Sequence, residues 1–584
     1  MRTIFTRTWI RRTLVLLLFA LAAESAKAQQ PAKEPAPPFF VRESVLAFPT
    51  CLDPHRFLNT ELHRFWMCVY ETPIVCDAES GQLTLKPWLL EAMPVLSRDG
   101  LTLTMTFKHG IKYADHECFP GGYGREVKAA DFIRVIQRHV DPSAKLPFYT
   151  AYLAGRIVGI DKVRADAEEA GRLDLTTPIP GVKALDDYTV EIKFVEPYTL
   201  FIPLLSMPWM SLIPHEAMQR YGTALETIMV GTGPYLQDRE STNPDQVVFK
   251  KNPAYWNAAT GGAAGPLPRN DGVRFERAAS AEIMLKRWKE GDATLLDMSP
   301  GVVNEFFTEQ GRLRGIVQPA KTQVVRTDMA RLHYVSFNMK NRFLAKKEVR
   351  QALCLAVNRQ WYIEKYYKGS AVLAEHIVPP SVPTFAAKKD MPWAYGKRGQ
   401  QKARELLIKA GHGGGKDLPE FILESVGDAP LDVAELEMLR DAWSQIGVKV
   451  QTRAQNYRQA LDRIKDGLNE IAVSHWFMDY PDPENFFLML ESSHAPQKDQ
   501  AFDSPNNGHW KNAEYDKLYR ESFALPPGPE RGKLFQRMIE IIQDECPWLF
   551  VGHLSTWTVV RPEVAGISTR SPYAVNYAII GRKN

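Results

Sequence analysis

The segment Trp476-Phe477-Met478-Asp479-Tyr480-Pro481-Asp482-Pro483 concentrates the most chemistry in the fewest residues. Three aromatic rings gather within five residues, a carboxylate stands among them, and two prolines stiffen the backbone. An Asp beside large aromatic faces suits a cationic amine, which gains charge pairing and cation–π attraction in a water-poor cleft. The same residues equally suit an Asx-type turn in which Asp479 caps local backbone and the rings are ordinary core.

Patterns for catalysis are missing elsewhere. The chain has no G-x-S-x-G nucleophile elbow, no G-x-x-x-x-G-K-[ST] phosphate loop and no G-x-G-x-x-G opening a helix. His215-Glu216 and His116-Glu117 begin like zinc-protease helices, but Gln219 and Pro120 stand where the second imidazole is required. Gly231-Thr232-Gly233-Pro234-Tyr235 is glycine-rich, yet Pro234 removes an amide donor and no Lys follows, so it reads as a tight turn entering a strand. Carboxylates are abundant enough for a paired acid/base site, which depends on their proximity, but nothing in these patterns commits the chain to an enzyme, and no metal centre or bound cofactor is expected.

The elements that must position such a segment follow from periodicity. Leu101 to Phe107 and Thr189 to Phe194 alternate as half-buried strands. Ala129, Phe132, Ile133, Ile136 and Val140 form a helical stripe stopped by Asp141-Pro142, and Val349, Ala352, Leu353 and Ala356 form another. Val433, Leu436, Leu439, Trp443 and Ile446 make a longer stripe that ends at Gly447, before Val448-Lys449-Val450 begins a strand. Residues 261–266 and 412–415 read as flexible surface loops. The class is mixed α/β.

With 584 residues, 45% hydrophobic and 24% charged, the chain has material for several cores. Its net charge of +4 comes mostly from residues 1–28, which hold five basic residues against Glu24, so the remainder is balanced. A neutral body offers no field for nucleic acid or an anionic membrane. Basic residues 1–12, the apolar run Leu14–Ala23 and Ala26-Lys27-Ala28 have the layout of a secretory signal cleaved after Ala28. The choice between Sec and twin-arginine export stays open. Six cysteines then face an oxidising compartment; four of them, between positions 51 and 118, lead to the expectation of at least one N-terminal disulfide.

A set of ordered blocks carries a resemblance: Leu52-Asp53-Pro54-His55, Val69-Tyr70-Glu71-Thr72-Pro73, Lys86-Pro87-Trp88-Leu89, Ala129-Ala130-Asp131-Phe132 and Asp187-Tyr188-Thr189-Val190. After them come Gly231–Tyr235 with Lys251-Asn252-Pro253-Ala254-Tyr255-Trp256, then Val349-Arg350-Gln351-Ala352, Trp476–Pro483 and Asn506–Leu518. Together they resemble the family-5 extracellular solute-binding proteins of ABC importers, which include periplasmic oligopeptide- and dipeptide-binding proteins.

The resemblance implies a two-lobed periplasmic-binding-protein (Venus flytrap) fold with an additional inserted accessory domain. It places lobe I in residues 29–75, 205–325 and 548–584, the accessory domain in 76–204 and lobe II in 326–547. It implies that Asp479 pairs with a ligand α-ammonium, that Trp476 lines the cleft, that Tyr149 faces ligand, and that Leu58, Asn59 and Thr60 offer backbone to an extended peptide. The function implied is periplasmic capture of di- to oligopeptides by a monomer that hands them to the permease and ATPase subunits of an importer at the inner membrane. The alternatives are a non-peptide cargo on the same fold (an oligosaccharide, an opine or chelated nickel), or a secreted hydrolase or chaperone-like binder. Phe477, where oligopeptide-binding relatives can carry Cys, and residues 115–124, in place of a short Asp-Gly turn, depart from the family pattern.

Overall fold

The computed structural model describes residues 37–46, 48–56, 62–77, 83–298, 306, 322–382, 397–428, 430–496, 506–567 and 576–583. The expected signal segment and Leu58, Asn59 and Thr60 lie outside the described residues.

Two long strands, Gln323–Phe337 and Trp548–Val560, organise the molecule. Both are rich in β-branched and aromatic residues, which favour extended backbone and fill a pleated surface. They pair antiparallel from Gln323↔Val560 to Ser336↔Trp548, at the centre of an eleven-stranded sheet. At one end Leu295–Met298 adds to Val560–Trp557, and beyond it lie Phe40–Val45, Gly272–Arg277, Gln246–Lys251 and Tyr235–Gln237. At the other end Ile471–Phe477 pairs with Phe337–Arg331, followed by Phe421–Glu424 and Val450–Arg453. The long strands therefore pass from one group of elements to the other. The ladder slips between Asp328 and Arg331, and Ala330 there has φ 46°, a left-handed conformation unusual for a residue with a Cβ.

Val95–Leu96, Thr102–Thr106, Thr189–Lys193 and Val182–Ala184 form a separate antiparallel sheet. The helix Ala129–Val140 packs on it through the buried residues Ala129, Phe132, Val135, Ile136 and Val140. Arg138 of that helix reaches back to the start of the chain and grips buried Asp53 with two hydrogen bonds, at 3.0 and 2.5 Å. It also donates to His55 Nδ1 at 2.9 Å, which leaves His55 Nε2–H to donate to the Ser211 carbonyl at 2.9 Å. Burial and the neighbouring guanidinium hold His55 neutral, well below the usual imidazole range.

Four of the sequence blocks converge on one buried carboxylate. Glu71 accepts hydrogen bonds from Trp88 Nε1, Tyr255 Oη and Trp256 Nε1, each at 2.8 Å, and from Thr232 Oγ1 at 2.7 Å. The glycines beside Thr232 are needed for close approach. A Cβ on Gly231 would sit 2.1 Å from the Val69 carbonyl oxygen, and one on Gly233 2.7 Å. The turn does lead into a strand, Tyr235–Gln237.

Two expectations are corrected. None of the six cysteines is bridged: Cys68 Sγ donates to the Arg64 carbonyl at 3.4 Å, and Cys51 sits beside the carboxylates of Asp53 and Glu226. Residues 412–415 are not a free loop, since Gly415 is buried and packed on Ile446 and Gly447.

Candidate functional site

The strand Ile471–Phe477 ends in the turn that carries Asp479, and the short helix Glu484–Phe487 follows it. The Met478 N–H donates to the Ala330 carbonyl at 3.1 Å, so this turn is fastened to the slipped part of the central ladder. Asn485 organises the turn: its Oδ1 accepts from Trp476 Nε1 at 2.9 Å and from the Asp479 backbone N–H at 3.0 Å.

The two aspartates of the turn have different work. Asp482 is the local cap, accepting from the Glu484 N–H at 2.9 Å and pairing with buried Arg531 at 2.6 Å. Asp479 makes no ion pair among the described residues. Burial pushes its carboxyl up to about 7; the nearby Asn485 side-chain amide opposes this and the Glu484 carboxylate adds to it. Glu484 itself is buried and accepts from the hydroxyls of Tyr480 and Tyr519. Its carboxyl is also raised by burial, which those two hydrogen bonds counter. The turn therefore presents a half-buried acid in a negative setting, with no protein cation among the described residues to neutralise it.

Facing it is an aromatic wall from the region of the smaller sheet. Tyr152 meets Tyr480 edge-on, ring centroids 5.8 Å apart, and stacks on Trp209 at 5.5 Å. Phe148 stacks on the same indole at 4.8 Å, and His139 closes the group edge-on to Trp209 at 5.4 Å. Burial, Asp479 and Glu484 together push the Tyr152 phenol well above its ordinary range, so it stays a neutral hydroxyl.

Asp479 and Trp476 are thus brought together through Asn485. Tyr149 is not brought to them: its hydroxyl donates to Asp161 at 2.7 Å, and the Arg164 guanidinium lies over its ring at 5.0 Å. Tyr152, three residues on, is the tyrosine of that segment beside Asp479 and Tyr480. The two share residue type and helical spacing. They are separated by Asp161, whose carboxylate also accepts from the Gly155 N–H at 3.0 Å. Sequence reasoning passed over Asn485 and Glu484, and marked Tyr480 only as one ring of the segment; the only signal for the first two is their position within nine residues of Trp476.

A large sheet crossed by two continuous strands, a smaller inserted sheet, and an unneutralised acid against an aromatic wall define a protein built to hold a ligand between parts. Residues 84–497 match the pattern of the Bacterial extracellular solute-binding proteins, family 5 Middle, and the chain belongs to this family. It is 24% identical over 499 residues to the Dipeptide-binding protein of Escherichia coli strain K12, covering 83% of this chain and 84% of that protein. To the Periplasmic oligopeptide-binding protein OppA of Salmonella typhimurium it is 26% identical over 547 residues, covering 91% and 90%. Among solved structures, the ABC transporter-associated periplasmic binding protein DppA from Helicobacter pylori in complex with peptide STSA superposes with a TM-score of 0.72. That match has 18% identity and covers 94% of this chain and 98% of the other. The fold is the two-lobed α/β fold of periplasmic binding proteins, with an inserted accessory domain.

Proposed function

We propose that the chain is the periplasmic solute-binding component of an ABC importer, and that it captures peptides by their N-terminal ammonium at Asp479. The observation that carries this is the Asp479 carboxylate: half-buried, without a protein cation among the described residues, beside the Tyr152–Tyr480 pair and joined to Trp476 through Asn485. A peptide ammonium supplies the missing charge, and the aromatic faces exclude water from the pair. The names of the relatives support both the peptide cargo and the periplasmic location.

In this reading residues 1–28 are a signal removed after Ala28. Lobe I comprises 29–75, 205–325 and 548–584, lobe II 326–547, and the accessory domain 76–204. The hinge is the crossing at Asp328–Arg331, where the long strands leave one group of elements for the other. Ligand bridging the lobes shifts the population toward a closed form that the permease recognises. The protein acts as a monomer and releases its cargo chemically unchanged. Leu58, Asn59 and Thr60 supply backbone to an extended ligand, which would explain tolerance of its sequence.

Titration calorimetry with a dipeptide and its N-acetylated form tests the proposal. The free peptide should bind to the wild type, while Asp479→Asn and N-acetylation should each weaken binding by about 30-fold or more, the scale of removing one partner of a desolvated charge pair. Equal affinity in all three would refute the ammonium assignment. Hydrolysis of the peptide would point to an enzyme instead.

A further inference from the structure

Two of the six cysteines are neighbours. Cys354 lies on the helix Lys347–Ala356, and Cys546 ends the helix Pro529–Glu545. Both are buried in one hydrophobic core, close enough that the Cys354 sulfur acts electrostatically on the Cys546 thiol. Cys354 Sγ is 3.7 Å from the Trp548 carbonyl oxygen, and Cys546 Sγ donates to the Gln543 carbonyl at 3.3 Å. The direction of the Cys546 side chain is fixed: its backbone is left-handed, φ 49°, and its N–H is held by the Ile542 carbonyl at 2.9 Å.

Two buried guanidinium groups flank the pair. Arg350 donates to the carbonyls of Cys546 at 3.2 Å and of Leu344 at 2.9 Å. Arg359 donates to those of Ala374 at 2.8 Å and Phe550 at 2.9 Å. Both cations act electrostatically on both thiols and ease formation of a thiolate. Burial opposes them and holds the Cys546 thiol well above its ordinary range. Exchange therefore belongs to the folding chain, before this core closes over the sulfurs.

We propose that Cys354 and Cys546 are a disulfide site, closed when the chain folds in an oxidising compartment, with Cys51, Cys68, Cys76 and Cys118 remaining thiols. The reaction is thiol–disulfide exchange with a disulfide donor, either a protein disulfide or oxidised glutathione. One cysteine thiolate attacks a donor sulfur, and the second displaces the mixed disulfide. One S–S bond forms in the chain and one breaks in the donor; the pair loses two electrons and two protons, and the donor leaves as two thiols. The bond ties the helix Lys347–Ala356 to the start of the strand Trp548–Val560 and closes a loop of about 190 residues in the unfolded chain.

The test is to reduce and denature the full chain, refold it with oxidised glutathione, and alkylate it in denaturant without reductant. Intact mass should count four labelled thiols of six, and peptide mapping should join the peptides holding Cys354 and Cys546. Six labels, or a bridge joining other cysteines instead, would overturn the proposal. The same count on chain taken from the periplasm of an expressing cell tests location separately, because refolding with glutathione does not depend on export. Reductant should lower the thermal midpoint of the oxidised protein by a few degrees and leave that of Cys354→Ala unmoved. Equal sensitivity in that variant would also overturn the proposal, and the label count on wild type stands whether or not the variant folds.

Discussion

Two carboxylates in this molecule, Glu71 and Asp479, are both lifted above their ordinary range by burial, yet their surroundings are opposites. Glu71 is buried and has four hydrogen-bond donors from three separate stretches of chain. Asp479 has a neighbouring acid, an aromatic wall and no protein cation among the described residues. The first is complete without ligand and serves the fold. The second lacks partners of that kind, and on the proposed reading that lack marks it as the ligand contact where burial alone does not.

The contrast breaks most visibly under substitution of Glu71. Glu71→Ala strands two indole N–H groups and two hydroxyls in a dry interior, and should cost about 3–5 kcal/mol in denaturant unfolding. A loss below about 1 kcal/mol would abolish the distinction drawn here. Asp479→Asn should behave in the reverse manner. Alongside its lost affinity, the ligand-free variant should be as stable as wild type or gain about 1 kcal/mol, because an unpaired, half-buried charge is removed.

Acidity sharpens the same comparison. With the free Asp479 carboxyl at about 7, a bound ammonium lowers its proton affinity. Peptide affinity should therefore be greatest between about pH 7 and 8, where the carboxyl is ionised and the peptide amine still protonated, and fall by up to about tenfold per unit as pH drops below 7. The stability of ligand-free protein moves the other way. Between the ordinary aspartate range and pH 7 the folded state holds the extra proton, so this group's contribution declines as pH rises through that window. Calorimetry and thermal melts from pH 5 to 8 would separate the two trends, and Asp479→Asn should flatten both. The smallest effects belong to the two tyrosines. Tyr152→Ala should weaken binding of a peptide with an apolar first residue by about 3- to 10-fold. Tyr149→Phe should leave affinity within about twofold and cost about 1 kcal/mol of stability through the lost bond to Asp161.

Local pattern made much of the fold legible. The alternation of Leu101 to Phe107 corresponds to the strand Thr102–Thr106, and the stripe from Ala129 to Val140 to a helix with those bounds. Both signals arise within a few residues, where periodicity reports burial directly. Convergence on Glu71 was not legible, because Thr232, Tyr255 and Trp256 lie 161 to 185 residues away from it along the chain. The blocks could be recognised without revealing that they share a partner. Composition drew attention to Asp479, but its spacing could not separate a ligand contact from a turn cap. That separation depends on Asp482 and Asn485, which take up the local hydrogen bonding and leave the other carboxylate unspent. The choice between Tyr149 and Tyr152 needed Asp161, and the proximity of Cys354 to Cys546 needed two helices that meet only in the tertiary fold.

The hydrogen bond from Met478 to Ala330 joins the residue next to Asp479 to the one left-handed position in the long strand Gln323–Phe337. If Asp479 holds the guest and the crossing at Asp328–Arg331 is the hinge, as proposed, a tug on the acid reaches the hinge through a single peptide unit. On that reading the sensor and the joint of the jaw share one short arm, which would couple occupancy to closing angle with little slack.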